Sequence, residues 1–497
     1  MKRGSVGLGG MQLKSGVKTA VAGVGGLAMM FLAVENWRGK QDWEAFKAEW
    51  GKKGEVFDYR QIIPKAVPAK KNFALIPQFE PLFNLKWGED FEGGKPVDPE
   101  AFERAKDVVP LGDDLPDLTG WRMVQRVDLK AWQKHFRARK EWPKRGKAGD
   151  AAEDVLLALR RHEGPLSALA KAAQERPLAR YDVKYEAHFS ALFPHLMPLR
   201  QYARVYSLRA LARLRAGKPK EALEDVLMAV FLAETIKDEP ILISHLVRMA
   251  ILEMALQPVW EGLADGLWEA DQQAALRERL GGINLIAHYQ LAMRGERDLS
   301  NLMMDQLRGG NRKKLAAMLG VDEAKGALLA MAPEGFIYQN QLRVNQLHMM
   351  STFNMADAKK RRIYPERGVD LEQLIKADGK NPYNIFAAML MPAVGTLVTR
   401  TGATQSALDH AVIACGLELA RGEGGGYPVK LVGERKDVVT GKPMGYRREG
   451  ERYILYSVGW NRKDDGGKPV VHKPDGKRAD FYKGDWVWRY EPVKNSQ

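Results

Sequence analysis

Two adjacent aspartates and two adjacent glycines, Asp464, Asp465, Gly466 and Gly467, lie in the stretch YILYSVGWNRKDDGGKP (Tyr453–Pro469). A further aspartate, Asp485, opens the last apolar run. Calcium takes roughly six to eight oxygen ligands, and closely spaced carboxylates with flexible glycines can supply them. Asp464, Asp465 and Asp485 are therefore candidate calcium ligands, with Asp475 and Asp480 in the same region. Arg462, Lys463, Lys468, Lys473, Lys477 and Lys483 crowd the same segment and oppose cation binding. A structural turn fits the Asp/Gly group better than an ion site does. A catalytic pair is the poorest fit, because glycosidase-type carboxylates face each other across a cleft.

Other chemistry is sparsely represented. The nine histidines show no His-x-x-His, H-E-x-x-H or Cys/His spacing for zinc. Neither G-x-S-x-G nor a Walker A sequence occurs. Asp409 and His410 are adjacent on a predicted helix, as are Ser244 and His245. Neighbours on a helix point about 100° apart, so these read as packing residues. Cys415 is the single cysteine, which rules out an intrachain disulfide, and its surroundings HAVIACGLELA predict a packed, inert thiol. An enzyme is not indicated by any motif.

The elements that must carry these residues follow from composition and periodicity. At 497 residues, 45% hydrophobic and 28% charged, the chain has the make-up of a multidomain globular protein. The net charge of +15 and pI near 9.5 favour anionic partners, although the basic residues are spread along the chain. Near the start, Lys2, Arg3, Lys14 and Lys18 precede TAVAGVGGLAMMFLAV, residues 19–34, which carries no charge; Glu35 and Trp37 follow. This reads as a short uncleaved signal-anchor helix, with its basic flank cytoplasmic and the body outside. GVGGLA within it lacks the βαβ context of a dinucleotide fingerprint. Ala22 and Gly26 have the small-xxx-small spacing of helix pairs.

Residues 41–128 are rich in proline and glycine and predict a segment wrapping another core. LKAWQKHFRARKEWPKRGK (129–147) predicts a basic helix with Trp132 and Phe136 on one face, suited to docking on the body or to gripping phosphates. The body, 129–380, is helical. A helix ending at Gly217 and another starting at Pro219 place Ala222, Val226, Ala229 and Ala233 on one stripe. RAGKPKEALEDVLMA with the closing Pro240 resembles one tetratricopeptide hairpin, without a second copy at that period. Arg248 and Glu253 inside the next apolar helix argue against a second span. Met349, Met350 and Met355 read as core filler.

The C-terminal module, 384–497, starts with one long apolar-to-amphipathic helix from Asn384, with a kink at Pro392. A hairpin reversing at Glu449–Gly450 follows, and then a third strand with Trp486, Trp488 and Tyr490 on one face. The order of Tyr427-Pro428, Gly441, Pro443, Tyr446, the Tyr456-Ser457-Gly459 group, the Asp464–Gly467 loop and Asp485 resembles the globular part of type II secretion pseudopilins. It also resembles the C-terminal region of large membrane-anchored proteins of planctomycete- and verrucomicrobial-type bacteria. The resemblance implies a small α+β module, and in calcium-dependent pseudopilins the equivalent loop holds the ion. The leader and the Phe–Glu opening of pseudopilins are not found, so fibre assembly is not implied.

The sequence therefore predicts a mostly α protein: an N-terminal membrane helix (1–40), an irregular tetratricopeptide-like body and a small module with a three-stranded antiparallel sheet. The expected role is a structural or interaction protein of the bacterial envelope, anchored in the inner membrane through residues 19–34 with its body in the periplasm. Its expected partner is a protein or an anionic envelope polymer. Nucleic-acid binding and a hydrolase with a dispersed site are the alternatives.

Overall fold

The computed structural model describes residues 15–88, 93–309, 332–368, 371–381, 383–384, 387, 391, 396–424, 426–431, 435–471 and 479–490. The fold is mostly α. The chain divides into two compact units, one of residues 1–57, 300–346 and 372–392, the other of 58–299, 347–371 and 393–497.

In the first unit, helix α1 (Ser15–Lys52) runs past the expected boundary at residue 40. Ion pairs of Lys47 with Glu44 and Lys53 with Glu49 support its later turns. Trp43 is buried against Phe46 and Phe57. Glu35, which ends the apolar run, is buried and accepts bonds from Arg38 (2.6 Å) and the Tyr383 hydroxyl (3.1 Å). Asn36 Oδ1 accepts the Gly335 amide at 2.7 Å. Here two backbones meet: a Cβ at Gly335 would lie 2.4 Å from the Glu35 carbonyl oxygen.

The second unit holds residues 58–128 of the expected wrapping segment, most of the helical body and the C-terminal sheet. Phe73, Ile76, Phe79 and Leu82, in the expected wrapping segment, are fully buried. Helix α2 (Leu129–Arg137) is capped by Asp128 and buries Trp132, His135 and Phe136. The two aromatics dock on the body, so neither ring is free to stack on a base.

The predicted hairpin is present as α3 (Leu196–Arg215) and α4 (Pro219–Glu234). Gly217 takes φ +70°, a conformation glycine adopts without strain, and Pro219 starts the second helix. Ala222, Val226, Ala229 and Ala233 are all fully buried. Arg209 and Arg213 from α3 clasp the buried Asp225 of α4, at 2.7 Å each. Helix α5 (Leu242–Ala264) is long and apolar enough to cross a membrane, but 67% of that window is buried in the body. Its Arg248 is fully buried and bonds Glu234 at 2.6 Å. Helix α6 (Leu285–Arg308) approaches the chain before α5 so closely that a Cβ at Gly295 would lie 1.5 Å from the Pro240 carbonyl oxygen.

Asn384, the expected start of the last long helix, sits in a turn; Ala387 is helical and accepts the Met391 amide at 3.2 Å, and helix α7 covers Leu397–Gly424. The expected kink at Pro392 lies outside the described residues. From Thr401 to Val412 every residue of α7 is buried, polar ones included. Gln405 Oε1 accepts the Leu285 amide at 2.7 Å, and Asp409 takes Arg361 (2.9 Å) and Arg435 (3.1 Å).

Strands β1 (Gly445–Glu449), β2 (Arg452–Ser457) and β5 (Trp486–Trp488) form the predicted three-stranded antiparallel sheet, order β1-β2-β5. Pairing of Glu449 with Arg452 places Gly450 and Glu451 at the turn. Trp486, Val487 and Trp488 are all buried, so β5 is covered on both faces and does not alternate. Between β2 and β5 the chain makes a further antiparallel ribbon, β3 (Pro469–Val471) with β4 (Ala479–Gly484), in place of the expected plain loop.

Candidate functional site

The Asp/Gly loop is held together by its own aspartates. Gly466 and Gly467 have φ of +69° and +76°, and a Cβ on Gly467 would meet Ile454 Cγ2 at 2.9 Å. Asp485 is buried; its Oδ2 accepts the Gly467 amide at 2.7 Å and its Oδ1 the Asp465 amide at 3.3 Å. Asp464 Oδ1 accepts the Gly466 amide (2.9 Å), and Asp465 Oδ2 accepts Asn461 Nδ2 (3.1 Å). Burial pushes the Asp485 carboxyl up to about 6, opposed by the two amide bonds and assisted by the charges of Asp465 and Asp464.

Asp464, Asp465 and Asp485 come together at this loop. Among the described residues no three His, Cys, Asp or Glu side chains converge to hold a metal. The carboxylate oxygens instead accept N–H groups of their own loop, an arrangement that shapes a turn. Asp480 Oδ1 accepts the Tyr482 amide at 2.8 Å, away from the loop, and Asp475 lies outside the described residues. Sequence reasoning missed a second anchor, Asp437. It is buried, and it accepts the Val439 amide (2.6 Å), the Ser457 hydroxyl (3.0 Å) and the Val458 amide (3.1 Å). An aspartate three residues before the Thr440-Gly441 turn was the available signal.

The adjacent Ser/His and Asp/His pairs do not form relays. Ser244 donates to Glu239, whose other oxygen lies 2.9 Å from His195 Nε2, so a carboxylate separates hydroxyl from imidazole. All three groups are buried. His245 Nε2 lies 3.1 Å from Thr401 Oγ1. Burial pushes the His410 imidazole down to about 3, with the Arg122 charge adding, so it is neutral. Burial raises the Cys415 thiol to about 12, which leaves it protonated and unreactive.

The feature with ligand-binding geometry is a cleft of about 670 Å³ in the second unit. Four elements build it. Helix α5 supplies Leu246, Met249, Ala250 and Glu253, whose i, i+3, i+4, i+7 spacing puts them on one face. The start of α7 and the residue before it supply Thr396, Thr399, Arg400 and Thr404, again on one face. Strand β4 contributes Ala479 to Lys483, and the turn 119–123 closes the end with Trp121 and Arg122.

That turn is pinned by one buried side chain. Gln257 Oε1 accepts the Gly120 (2.7 Å) and Trp121 (2.9 Å) amides, and its Nε2 donates to Gln125 O (3.0 Å). Arg122 then reaches Glu253 through two bonds, Nη2 to Oε1 at 2.5 Å and Nε to Oε2 at 3.2 Å. Its guanidinium lies over the Trp121 ring (4.4 Å) and the Phe481 ring (5.1 Å). Thr404 Oγ1 donates to the same Glu253 at 3.1 Å. Arg122 and Glu253 thus neutralise each other. By contrast, Arg400 and Lys483 are exposed and carry no ion pair among the described residues. Thr399 is fully buried, and its hydroxyl has no hydrogen-bond partner among the described residues.

Compared with protein-family models, curated proteins and solved structures, the chain has no significant match to any.

Proposed function

We propose that this chain is a membrane-anchored interaction protein of the bacterial envelope, held in the inner membrane by residues 19–34 with its body on the periplasmic side. One observation carries the reading. In the apolar half of α1, Leu27 (71%), Met29, Met30, Phe31 (54%), Leu32 (38%), Ala33 and Val34 are all exposed. At 100° per residue these positions surround the helix, so no single face is left for a protein core. A helix apolar on every side needs an apolar medium, and lipid supplies one. Sixteen residues span about 24 Å at 1.5 Å each, short of a hydrocarbon core of about 30 Å. Thinning of the bilayer and snorkelling of Lys18 accommodate that difference. Trp37, 66% exposed three residues past the run, suits the headgroup level.

The body then offers partner surfaces on its helical hairpin and the module around its cleft, in keeping with the envelope-protein resemblance. The nucleic-acid alternative loses its motif, since Trp132 and Phe136 are core residues.

Membrane fractions of cells expressing the full chain test the anchor. The chain is expected to stay with the membrane through an alkaline wash, and a Leu27→Arg, Phe31→Arg double variant to be released. Each arginine at mid-span costs about 2.5–3.5 kcal/mol of insertion. Release of both forms would refute anchoring.

A further inference from the structure

We propose that the cleft beside Arg122 binds a small amphiphile with one anionic head, a phosphate monoester or a carboxylate, on an apolar body. Its volume, about 670 Å³, lies within the usual range for small-molecule sites, about 300–1,000 Å³. Leu246, Met249, Trp121 and Phe481 give it an apolar wall. Trp121 and Met249 are buried behind this wall, and Leu246 and Phe481 are half-buried in it.

The charges at the cleft decide the sign of the ligand. Glu253 is satisfied by Arg122 and Thr404 and is not free to attract a cation. Asp480 is the remaining acid, and one of its oxygens is taken by the Tyr482 amide. Arg400 and Lys483 are two cations without ion-pair partners among the described residues, so the surplus is positive and suits a single negative head. A guanidinium and an ammonium together supply the donors a phosphate or carboxylate accepts.

Thr399 gives independent support. A buried hydroxyl without a partner costs about 1–3 kcal/mol, and a ligand oxygen reaching this wall of the cleft relieves that cost. The wall is also rigid: Arg122 is clamped by the carboxylate and by two rings, and its turn is fixed by Gln257. A preformed site loses less entropy on binding than one that must assemble.

The full chain in a neutral detergent is titrated with dodecyl phosphate, inorganic phosphate and dodecanol, with binding read by calorimetry. Dodecyl phosphate is expected to bind at least tenfold more tightly than either half-ligand, a difference of about 1.4 kcal/mol or more. Arg400→Ala with Lys483→Ala, two surface changes that leave the fold intact, is expected to weaken it at least tenfold. Thr399→Val is expected to weaken head binding without altering the response to dodecanol. Nanodiscs with and without phosphatidylglycerol separate the sources of the ligand. Competition by the anionic discs alone identifies a lipid head, and its absence points to a soluble amphiphile. Equal affinity of the double variant, or no binding of dodecyl phosphate, would overturn the proposal. The cleft lies wholly within the second unit, so these outcomes are independent of whether α1 spans a membrane.

Discussion

Asp485 shows how a residue picked for chemistry is used for architecture. Its oxygens accept two backbone amides that set the Asp/Gly loop, and burial raises its carboxyl to about 6 from an ordinary 3.8. Below pH 3.8 the group is protonated in folded and unfolded chains alike and costs nothing. As pH rises towards 6, the unfolded chain ionises first, so stability falls across that window. Asp485→Asn keeps an acceptor and removes the titration. Its melting temperature should therefore lose the decline between pH 4 and 6, a difference of roughly 1–2 kcal/mol after discounting for solvent near the loop. A parallel decline in both proteins would assign the slope elsewhere. The same geometry predicts that melts with excess calcium and with chelator coincide; a clear calcium-dependent rise would restore the ion site.

At the scale of the element, the sequence was most legible where periodicity and punctuation agreed. Gly217 and Pro219 marked the hairpin, the alanine stripe marked its buried face, and the alternation of Tyr453, Leu455 and Ser457 marked the central strand. Less legible were features made by distant residues. Nothing near Gln257 announces that it holds the turn at Gly120, because its partners lie 137 and 136 residues away. The cleft depends on that turn and could not be read from spacing alone, although Leu246, Met249 and Glu253 share a face. Within the helix expected from Asn384, Asn384 itself closes a turn on Asn381, Ala387 is helical and accepts the Met391 amide, and α7 runs from Leu397. Gln257→Leu should destabilise the protein by roughly 2–4 kcal/mol, since it strands two amides and a carbonyl in the interior. Chemical denaturation measures this, and a loss under about 0.5 kcal/mol, the range of surface changes, would deny the pin its role. Gly295→Ala should cost roughly 1–3 kcal/mol or more, because its Cβ meets backbone at Pro240 that cannot move aside as a side chain would. A neutral result in the same assay would show that α6 shifts freely.

For the molecule as a whole, two properties stand apart: a helix with apolar residues exposed on all sides, and a body whose cleft carries two cations without ion pairs among the described residues. Both are consistent with a protein working at an anionic membrane, as is the net charge of +15. The candidate spans are told apart by their surroundings. Leu242–Ala264 passes on length and composition but is packed into the body, with Arg248 paired to Glu234, whereas residues 29–34, which end the N-terminal apolar run, are exposed. Arg248→Met with Glu234 left in place should cost about 3–5 kcal/mol, the usual penalty for breaking a buried pair, and should not increase membrane association. The most direct test of the anchored, outward-facing reading is protease treatment of a C-terminal tag in intact cells and in spheroplasts, beside a cytoplasmic control. The account predicts protection in intact cells and digestion in spheroplasts; protection until lysis would place the body in the cytoplasm and contradict it.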